Sequence, residues 1–399
     1  MDIYPEHNLL INCCKISQNS LDDKMVSHWI FNRAIDWNFV ESESFYHEIA
    51  SFLYKRLEGL GFLKEIPEKV AIKLKHSYIR TIFRNDLLLQ EYNYIYRAML
   101  EEDIECLPLK GVAFLGYLYE DVGLRPMCDI DIIVKDDMYG GAERFLQKLR
   151  YKKVSSEDGS HIVFFNSEKA IMLELHIDRN YAFEDPRRIV IPGVWDRAVT
   201  FEKEGISMKR MSPEDMLFSL AMHSRRMGKL FIIKYLCDID RCIRKNQNKL
   251  DWDFIIENAR RFKIISPCFI LLKTAKDIFS APLPDGLEER ICPTTMRSFI
   301  LKRAIKKALF VKKGKERAAA KHNYLIFYLF LQDGLILPFK HILLMDKERF
   351  KKFYDLEGRP DSFASFCYAL RFFYAPFKLI EFCFNKIKFA LNRNKRYNV

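Results

Sequence analysis

Two aspartates, Asp129 and Asp131, are separated by a single residue in the apolar run Met127–Val134. Because side chains alternate between the two faces of a strand, a strand here places both carboxylates on one face and Ile130 and Ile132 on the other. The two carboxylates repel each other by about 1 kcal/mol or more even with effective screening, so such a strand usually has a cation to hold them. Mg²⁺ or Mn²⁺ is the hard cation that suits carboxylate oxygens beside phosphates. D-x-D also occurs by chance on solvated strands, but the apolar run favours a metal site here.

A third carboxylate for this site is offered by Glu174 in the run Leu173–His176. Polar and apolar residues alternate there, so a strand places Glu174 and His176 on one face. A two-metal nucleotidyl transfer needs a third acid because one ion is held on the triphosphate and the other on the attacking hydroxyl, whose proton a carboxylate can accept. The competing interpretations are an exposed hairpin residue for Glu174 and a hydrogen-bonding structural histidine for His176.

Phosphate contacts are predicted at Lys110, Gly111 and Arg125. Gly111 follows a short extended run, and a glycine turn lets the backbone approach a phosphate closely. The start of a helix at this point adds free N–H groups and a dipole that favours anions. Lysine and arginine side chains stabilise the charge that develops on a departing pyrophosphate. The structural alternatives are a solvated strand end for Lys110, and for Arg125 an ion pair with Asp121 or Glu120 in the loop.

These residues need a small sheet to bring them together. Alternating and helical spacings, broken by glycine and proline, predict strand, turn, helix, strand, helix and hairpin in that order. The predicted strands are Ile104–Leu109, Met127–Val134, His161–Phe165 and Ala170–Ile177, and the predicted helices are Val112–Tyr119 and Tyr139–Leu149. The core is therefore predicted to be a small mixed α/β unit.

Helical segments are predicted on both sides of this unit. Residues 20–100 carry apolar side chains at helical spacing with few glycines or prolines. The run Ser212–Asp215 offers an N-cap serine, a proline at the first helical position and acids in the first turn, and Asp251 begins another helix in the same way. The predicted fold class is α+β, with a small mixed-sheet core flanked by N-terminal and C-terminal helical regions.

The positive charge of the chain is concentrated at its C-terminal end. The 399 residues have a formal net charge of +12, but residues 301–399 hold 22 Lys and Arg against 8 Asp and Glu, which is +14, so residues 1–300 sum to −2. The basic balance therefore does not by itself indicate a nucleic-acid binder. A composition of 49% hydrophobic and 30% charged residues excludes a disordered or collagen-like chain.

The cellular setting is predicted from segments that the sequence lacks. The N-terminus has no basic stretch followed by a long apolar one, and no window holds eighteen uncharged apolar residues. The ten cysteines show no zinc-ligand spacing, which predicts buried, reduced thiols. We therefore expect a cytoplasmic protein that is soluble or peripheral to a membrane.

The C-terminal region mixes cations with aromatic residues. Residues 302–321 hold nine cations against one acid, Glu316, and residues 366–393 interleave aromatic and basic side chains. This pattern fits a helical core with a solvated face, an interfacial membrane helix, or a nucleic-acid surface. The first interpretation is the commonest, and no RNA-binding signature supports the last.

The residues quoted above resemble the uncharacterised nucleotidyltransferase family of the DNA polymerase β-like superfamily. The likeness covers about residues 95–280, with a weaker match near 345–380. Its segments are Lys110-Gly111, Gly123–Val134, Leu173–His176, Ala221–His223, Lys234–Asp238 and Leu250–Asp253. The superfamily's usual pattern is Gly-Ser after the first strand, then D-x-D, then a distant acid. Here Lys110-Gly111 stands at the Gly-Ser position.

The resemblance implies roles for individual residues. Asp129, Asp131 and Glu174 would be catalytic and hold two Mg²⁺ ions, or Mn²⁺. Gly111 would lie against the triphosphate. The implied substrate-binding residues are Lys110, Gly111, Arg125, His176, His223 and Asp238. A lone histidine on an apolar helix is more often structural, and that alternative applies to His223.

The residue patterns and the resemblance together predict four regions. Residues 1–100 would be a helical N-terminal region and 101–205 the nucleotidyltransferase core. Residues 206–300 would be a helical domain that completes the cleft, and 301–399 the basic, aromatic-rich helical C-terminal region.

Residues and resemblance together predict a metal-dependent nucleotidyltransferase. It would transfer a nucleoside monophosphate from a nucleoside triphosphate, such as ATP, to an acceptor and release pyrophosphate. The sequence leaves the acceptor open among a small molecule, a polysaccharide precursor, a protein and an RNA. The alternative is a non-catalytic adaptor of the same fold that binds a partner or a membrane surface through the basic C-terminal region.

Overall fold

The computed structural model describes most of the chain up to Phe310. The described residues are 4–16, 20–32, 34–157, 161–178, 191–203, 205–223 and 232–310, and after them 330–331, 333, 347, 350–351, 356 and 358–370. Residues 311–329 and 371–399, which hold much of the basic and aromatic sequence, lie outside the described residues. The three interpretations of the C-terminal region therefore stay predictions.

A five-stranded mixed sheet forms the centre of the fold. Its strands are β1 Cys106–Leu109, β2 Asp129–Val134, β3 Lys152–Glu157, β4 His161–Asn166 and β5 Ile171–Ile177. They lie in the order β1-β2-β5-β4-β3, and β2 and β5 are parallel while the other pairs are antiparallel. The predicted α+β class with a small mixed sheet is confirmed.

Helices surround the sheet, as the apolar spacing predicts. The α-helices before and within the sheet region are α1 Pro5–Cys14, α2 Ser20–Asn32, α3 Trp37–Tyr46, α4 Ala50–Gly59, α5 Glu68–Glu101, α6 Lys110–Phe114 and α7 Tyr139–Lys148. Those after it are α8 Pro213–His223, α9 Ile233–Lys245, α10 Trp252–Arg261, α11 Ile265–Phe279, α12 Leu287–Ile291, α13 Thr295–Leu309 and α14 Asp361–Ala369. Short 3-10 turns lie at Phe62–Lys64 and Asp136–Met138.

Two predicted N-caps hold the starts of helices. The Ser212 hydroxyl oxygen accepts a hydrogen bond from the Asp215 backbone N–H at 3.2 Å, at the start of α8. The Asp251 carboxylate accepts one from the Phe254 N–H at 2.9 Å, at the start of α10. Each cap satisfies a backbone donor that the first turn of a helix leaves unpaired.

The alternation of side chains along β2 separates two hydrophobic cores. Ile130, Ile132 and Val134 belong to a core that includes α5 and α7. Ile133 belongs to a larger core formed by the N-terminal helices, Leu107 and Leu109 of β1, and the helices from α8 to α13. Because Asp129 and Asp131 alternate with the first set, they lie on the face of the sheet that is turned toward the larger core.

Several predicted bounds are wrong. The helix predicted over Val112–Tyr119 is instead α6, which ends at Phe114, because Leu115 is extended and Gly116 turns the chain with φ of 78°. Strand β3 has no apolar alternation to reveal it and is an edge strand with exposed Lys152 and Lys153.

A second sheet also went unpredicted. It is the hairpin of β6 Val199–Lys203 and β7 Ile206–Arg210. The predicted boundary between the core and the helical domain, at 205/206, falls inside this hairpin.

The cysteines depart from prediction at two positions. All nine that the structure describes are free thiols, and Cys128 and Cys292 are exposed, whereas the other seven are buried as predicted.

None of the helices in the described part of the chain has both the length and the apolar character that crossing a membrane requires.

Candidate active site

Strand pairing brings the predicted acids together. Strands β2 and β5 run parallel, and their register pairs Asp131 with Glu174 and Ile133 with His176. Asp129, two residues before Asp131, therefore shares a face with both acids. Sequence alternation predicts the shared face of Glu174 and His176, and the parallel pairing adds that this face also carries the D-x-D pair.

Asp131, Glu174 and His176 form a compact set of metal-binding groups. The Nε2 atom of His176 lies 3.0 Å from Oδ1 of Asp131 and 3.4 Å from Oε2 of Glu174. One ligand atom from each residue lies within 4.8 Å of the others. Carboxylate oxygens and an imidazole nitrogen are ligands of Mn²⁺ and related divalent ions, and carboxylates alone suit Mg²⁺. The donor set therefore fits a divalent cation.

Lys110, the first residue of α6 and the one directly after β1, approaches the same set. Its Nζ lies 2.8 Å from Oδ1 of Asp131, and only 8% of the residue is exposed. The alternative in which Lys110 is a solvated strand end is therefore wrong. Its backbone is left-handed, with φ of 45°, which costs a residue other than glycine of the order of 1–2 kcal/mol. Such strain persists where the surrounding structure requires it, and it is often found at functional sites.

The two aspartates have different electrostatic surroundings. Burial alone would raise the pKa of Asp131, but the Lys110 ammonium and the His176 hydrogen bond hold it well below its usual value. Burial and the negative charges of Asp131 and Glu174 raise the pKa of Asp129 to about 6. Lys110 thus compensates the negative charge of Asp131 better than that of Asp129. An added cation would relieve the repulsion that Asp129 meets from the neighbouring acids.

Gly111 lies where no larger residue fits without adjustment. A Cβ atom on Gly111 would lie 3.0 Å from Sδ of Met127 and 3.5 Å from Nη1 of Arg125. The backbone at Gly111 therefore closely approaches the segment that leads into β2. Because α6 has only five residues, the predicted contribution of a helix dipole to phosphate binding has little support here.

Arg125 is held by Asp238 rather than by Asp121 or Glu120. Its Nε and Nη2 atoms donate to the two carboxylate oxygens of Asp238, each at 2.8 Å, and the Tyr119 hydroxyl donates to the same carboxylate at 2.7 Å. Burial alone would lower the pKa of Arg125, but the charge and hydrogen bonds of Asp238 raise it. Asp238 thus positions Arg125 with Nη1 toward Gly111. Substrate contact by either residue stays a prediction.

Lys234, which the sequence did not single out, lies beside this pair. Its Nζ forms an ion pair with Glu48 and a hydrogen bond of 3.3 Å with the carbonyl oxygen of Pro126. Burial and the charge of Arg125 lower the pKa of Lys234. Lys234 and Asp238 are four residues apart in α9, so both side chains face the segment before β2.

His223 lies near Lys234, on the neighbouring helix α8. It is buried at the end of α8, and its ring packs edge-on against Tyr235 with centroids 5.0 Å apart. Tyr235 follows Lys234 in α9, so His223 borders the same group of residues. Its role in substrate binding stays a prediction.

Comparison with known proteins places these residues in context. Residues 33–280 match the model of a family described as uncharacterised nucleotidyltransferase. A solved structure of an antigenic nucleotidyltransferase-like protein from Paracoccidioides brasiliensis is similar over 50% of this chain and 95% of that chain, with 14% identity and a TM-score of 0.33. A likeness at this level supports no conclusion about function. No curated protein matches the chain. The family match contains every residue of the candidate site.

Proposed function

Since the chain belongs to the uncharacterised nucleotidyltransferase family, we propose that it transfers a nucleoside monophosphate from a nucleoside triphosphate to an acceptor. Asp129, Asp131 and Glu174 would hold the divalent cations, Mg²⁺ or Mn²⁺. The observation that carries the proposal is the direct pairing of Asp131 with Glu174 on adjacent parallel strands, with His176 within ligand distance of both.

The proposed reaction is an attack of the acceptor on the α-phosphorus of the nucleotide. An acceptor oxygen attacks the α-phosphorus, the bond from that phosphorus to the oxygen bridging the β-phosphate breaks, and pyrophosphate departs with that oxygen. The acceptor proton passes to a carboxylate, for which we assign Glu174, because its side chain is partly exposed whereas Asp131 is buried against Lys110 and His176. Divalent cations held by Asp129, Asp131 and Glu174 would supply the positive charge that neutralises a triphosphate and the charge that develops on a leaving group.

Local positive groups are needed to meet the triphosphate. Residues 1–300 sum to a charge of −2, so no general positive field draws the substrate in. Lys110 directly precedes Gly111, and Nη1 of Arg125 lies 3.5 Å from the position that a Cβ atom on Gly111 would take. These two cations and the metal ions would balance the charge of the departing pyrophosphate.

Metal-dependent nucleotide binding tests the proposal. The full chain is dialysed against α-³²P-labelled ATP, CTP, GTP or UTP with Mg²⁺ or with EDTA. We expect binding of at least one nucleotide in Mg²⁺ and its loss in the variant that combines Asp129→Asn and Asp131→Asn. These changes remove charge while keeping the shape of the side chains. Asp137→Asn, an exposed acid in the 3-10 turn after β2, is the matched control.

Transfer is then followed with the nucleotides that bind. Label is sought on small hydroxyl compounds, sugar phosphates, RNA and the chain itself. Binding that is equal in Mg²⁺ and EDTA, and equal in the double variant, would contradict a metal-dependent nucleotidyltransferase. The adaptor alternative rests on segments outside the described residues.

A further inference from the structure

The candidate metal site already holds a cation of the protein's own. The Lys110 ammonium lies 2.8 Å from Oδ1 of Asp131, and His176 lies 3.0 Å from the same oxygen. Lys110 and Asp131 are both buried, so solvent screens their interaction little. The carboxylate proposed as a metal ligand is therefore engaged by Lys110 in the protein as it stands.

A lysine and a divalent ion compete for this carboxylate. A divalent ion bound to Asp131 would lie within a few ångströms of the Lys110 ammonium. The two cations would repel each other strongly in this buried site. The Lys110 ammonium is carried on a flexible four-carbon side chain, so it can move away from Asp131 without a change in the backbone. Arg125 differs, because Asp238 holds its guanidinium with two hydrogen bonds.

The backbone fixes where a displaced Lys110 can go. Lys110 immediately precedes Gly111, whose close packing against Met127 and Arg125 holds the turn in place. The side chain therefore pivots about a fixed point between Asp131 and the surface proposed to receive the triphosphate. A phosphate there would provide the negative charge that Lys110 loses when it leaves Asp131.

We propose that Lys110 is a displaceable internal cation: it neutralises Asp131 in the metal-free protein and moves to the triphosphate when metal and nucleotide bind together. This inference rests on the proposed function, since it takes the substrate to be a nucleoside triphosphate. Metal alone must displace Lys110 without a new partner for it, whereas nucleotide supplies that partner. Metal and nucleotide therefore raise each other's affinity, by the same factor in both directions.

Direct measurement of metal affinity tests the proposal. Mn²⁺ binding to the full chain is followed by electron paramagnetic resonance, with and without the α,β-methylene analogue of ATP. In the wild type we expect the analogue to raise the Mn²⁺ affinity by about 5-fold or more, within the usual range of such couplings. Lys110→Met, which keeps the length of the side chain without its charge, should bind Mn²⁺ alone about tenfold more tightly and show little coupling. Lys148→Met, an exposed lysine on α7, is the control for loss of one positive charge.

Each outcome decides the question. Mn²⁺ affinity that is unchanged or weaker in Lys110→Met, in a variant shown to be folded by circular dichroism, would overturn the proposal. If Lys110→Met does not fold, the wild type decides it, because equal Mn²⁺ affinity with and without the analogue would overturn it too. The metal-only arm contains no nucleotide, so tighter Mn²⁺ binding by the variant supports Lys110 as the internal cation even if no nucleotide binds. Failure of nucleotide binding would instead overturn the proposed function and the move of Lys110 to a triphosphate.

Discussion

Asp129 and Asp131 are two residues apart on β2, yet their surroundings move their pKa values in opposite directions. Lys110 and His176 contact Asp131 directly, and they overcome the effect of burial. At Asp129 burial and the neighbouring acids prevail, which raises its pKa to about 6. Lys110 and His176 thus give different pKa values to two acids that strand alternation places on the same face.

At the residue scale, Asp129 should make stability depend on pH. The pKa of Asp129 is about 6 in the folded protein against an ordinary value of 3.8 for aspartate, so the folded state binds this proton more tightly than the unfolded state. The free energy of unfolding therefore loses a contribution as pH rises from about 4 to about 6, by at most about 3 kcal/mol. Asp129→Asn removes this loss, so the variant should gain stability over the wild type at pH 7.5 but not at pH 4.

Urea unfolding in EDTA at the two pH values measures the difference. Asp137→Asn is the control, because its side chain is exposed. The free energies of unfolding of Asp129→Asn and wild type are compared at each pH. If their difference is the same at pH 4 and pH 7.5, ionisation of Asp129 does not destabilise the folded protein.

At the element scale, the Arg125–Asp238 pair joins the segment before β2 to α9. Both side chains are buried, and Asp238 is fully inaccessible to solvent. Arg125→Met should lower the free energy of unfolding by about 3–5 kcal/mol, because it leaves the Asp238 charge buried without its partner. Adding Asp238→Asn to that variant should recover part of the loss, since the uncompensated charge is gone.

A double-mutant cycle by urea unfolding measures this coupling. The single variants Arg125→Met and Asp238→Asn and their combination are compared with wild type. Additive losses would mean that the two residues do not stabilise the protein as a pair. In that case α9 would not owe its position to this contact.

Gly111, at the start of α6, gives a second prediction at this scale. Gly111→Ala brings a Cβ to 3.0 Å from Met127, so the gain of about 1 kcal/mol that alanine usually gives a helix should be lost to crowding. The same Cβ would lie 3.5 Å from Nη1 of Arg125, so it should disturb this proposed phosphate contact and lower the affinity for nucleotide. Gly141→Ala in α7 is the matched control, because its Cβ would meet Ile104 only at 4.0 Å.

Urea unfolding measures the stability of both variants, and equilibrium dialysis measures their affinity for nucleotide. We expect Gly141→Ala to be more stable than wild type and to bind nucleotide normally. Nucleotide affinity in Gly111→Ala equal to that of Gly141→Ala would count against a phosphate site at Gly111.

At the scale of the whole molecule, the sheet and the helices depend on each other. Leu107, Leu109 and Ile133 of the sheet share one core with Leu9 of α1 and Leu236 of α9. His47, between α3 and α4, accepts hydrogen bonds from the backbone of Ile233 and Lys234 at the start of α9. The candidate site therefore lies where the sheet meets both helical regions.

A fragment of residues 101–205 should not fold on its own. Removal of the helices exposes the apolar face of β1 and Ile133, and the cut at 205 separates β6 from β7. Thermal unfolding followed by circular dichroism should show a cooperative transition for residues 1–310 and none for the fragment. A cooperative transition in the fragment would mean that the core is an independent domain.

Much of the site follows from the sequence alone. The period of two in Met127–Val134 and Leu173–His176 determines that Asp129 and Asp131 share a face, and that Glu174 and His176 do, because alternation is a local property of a strand. The caps at Ser212 and Asp251 are equally local, since each cap is satisfied within three residues.

Only the tertiary structure decided which groups meet. The parallel pairing of β2 with β5 brings Asp131 to Glu174 across 43 positions of sequence, and alternation says nothing about which strands pair. The partner of Arg125 is Asp238, 113 residues away, rather than a nearby acid of the loop. Lys110 turns into the buried acid cluster instead of toward solvent. Contacts of this kind depend on the packing of distant elements. Packing therefore sets the pKa values of Asp129 and Asp131 and leaves Lys110 in the place proposed for the metal.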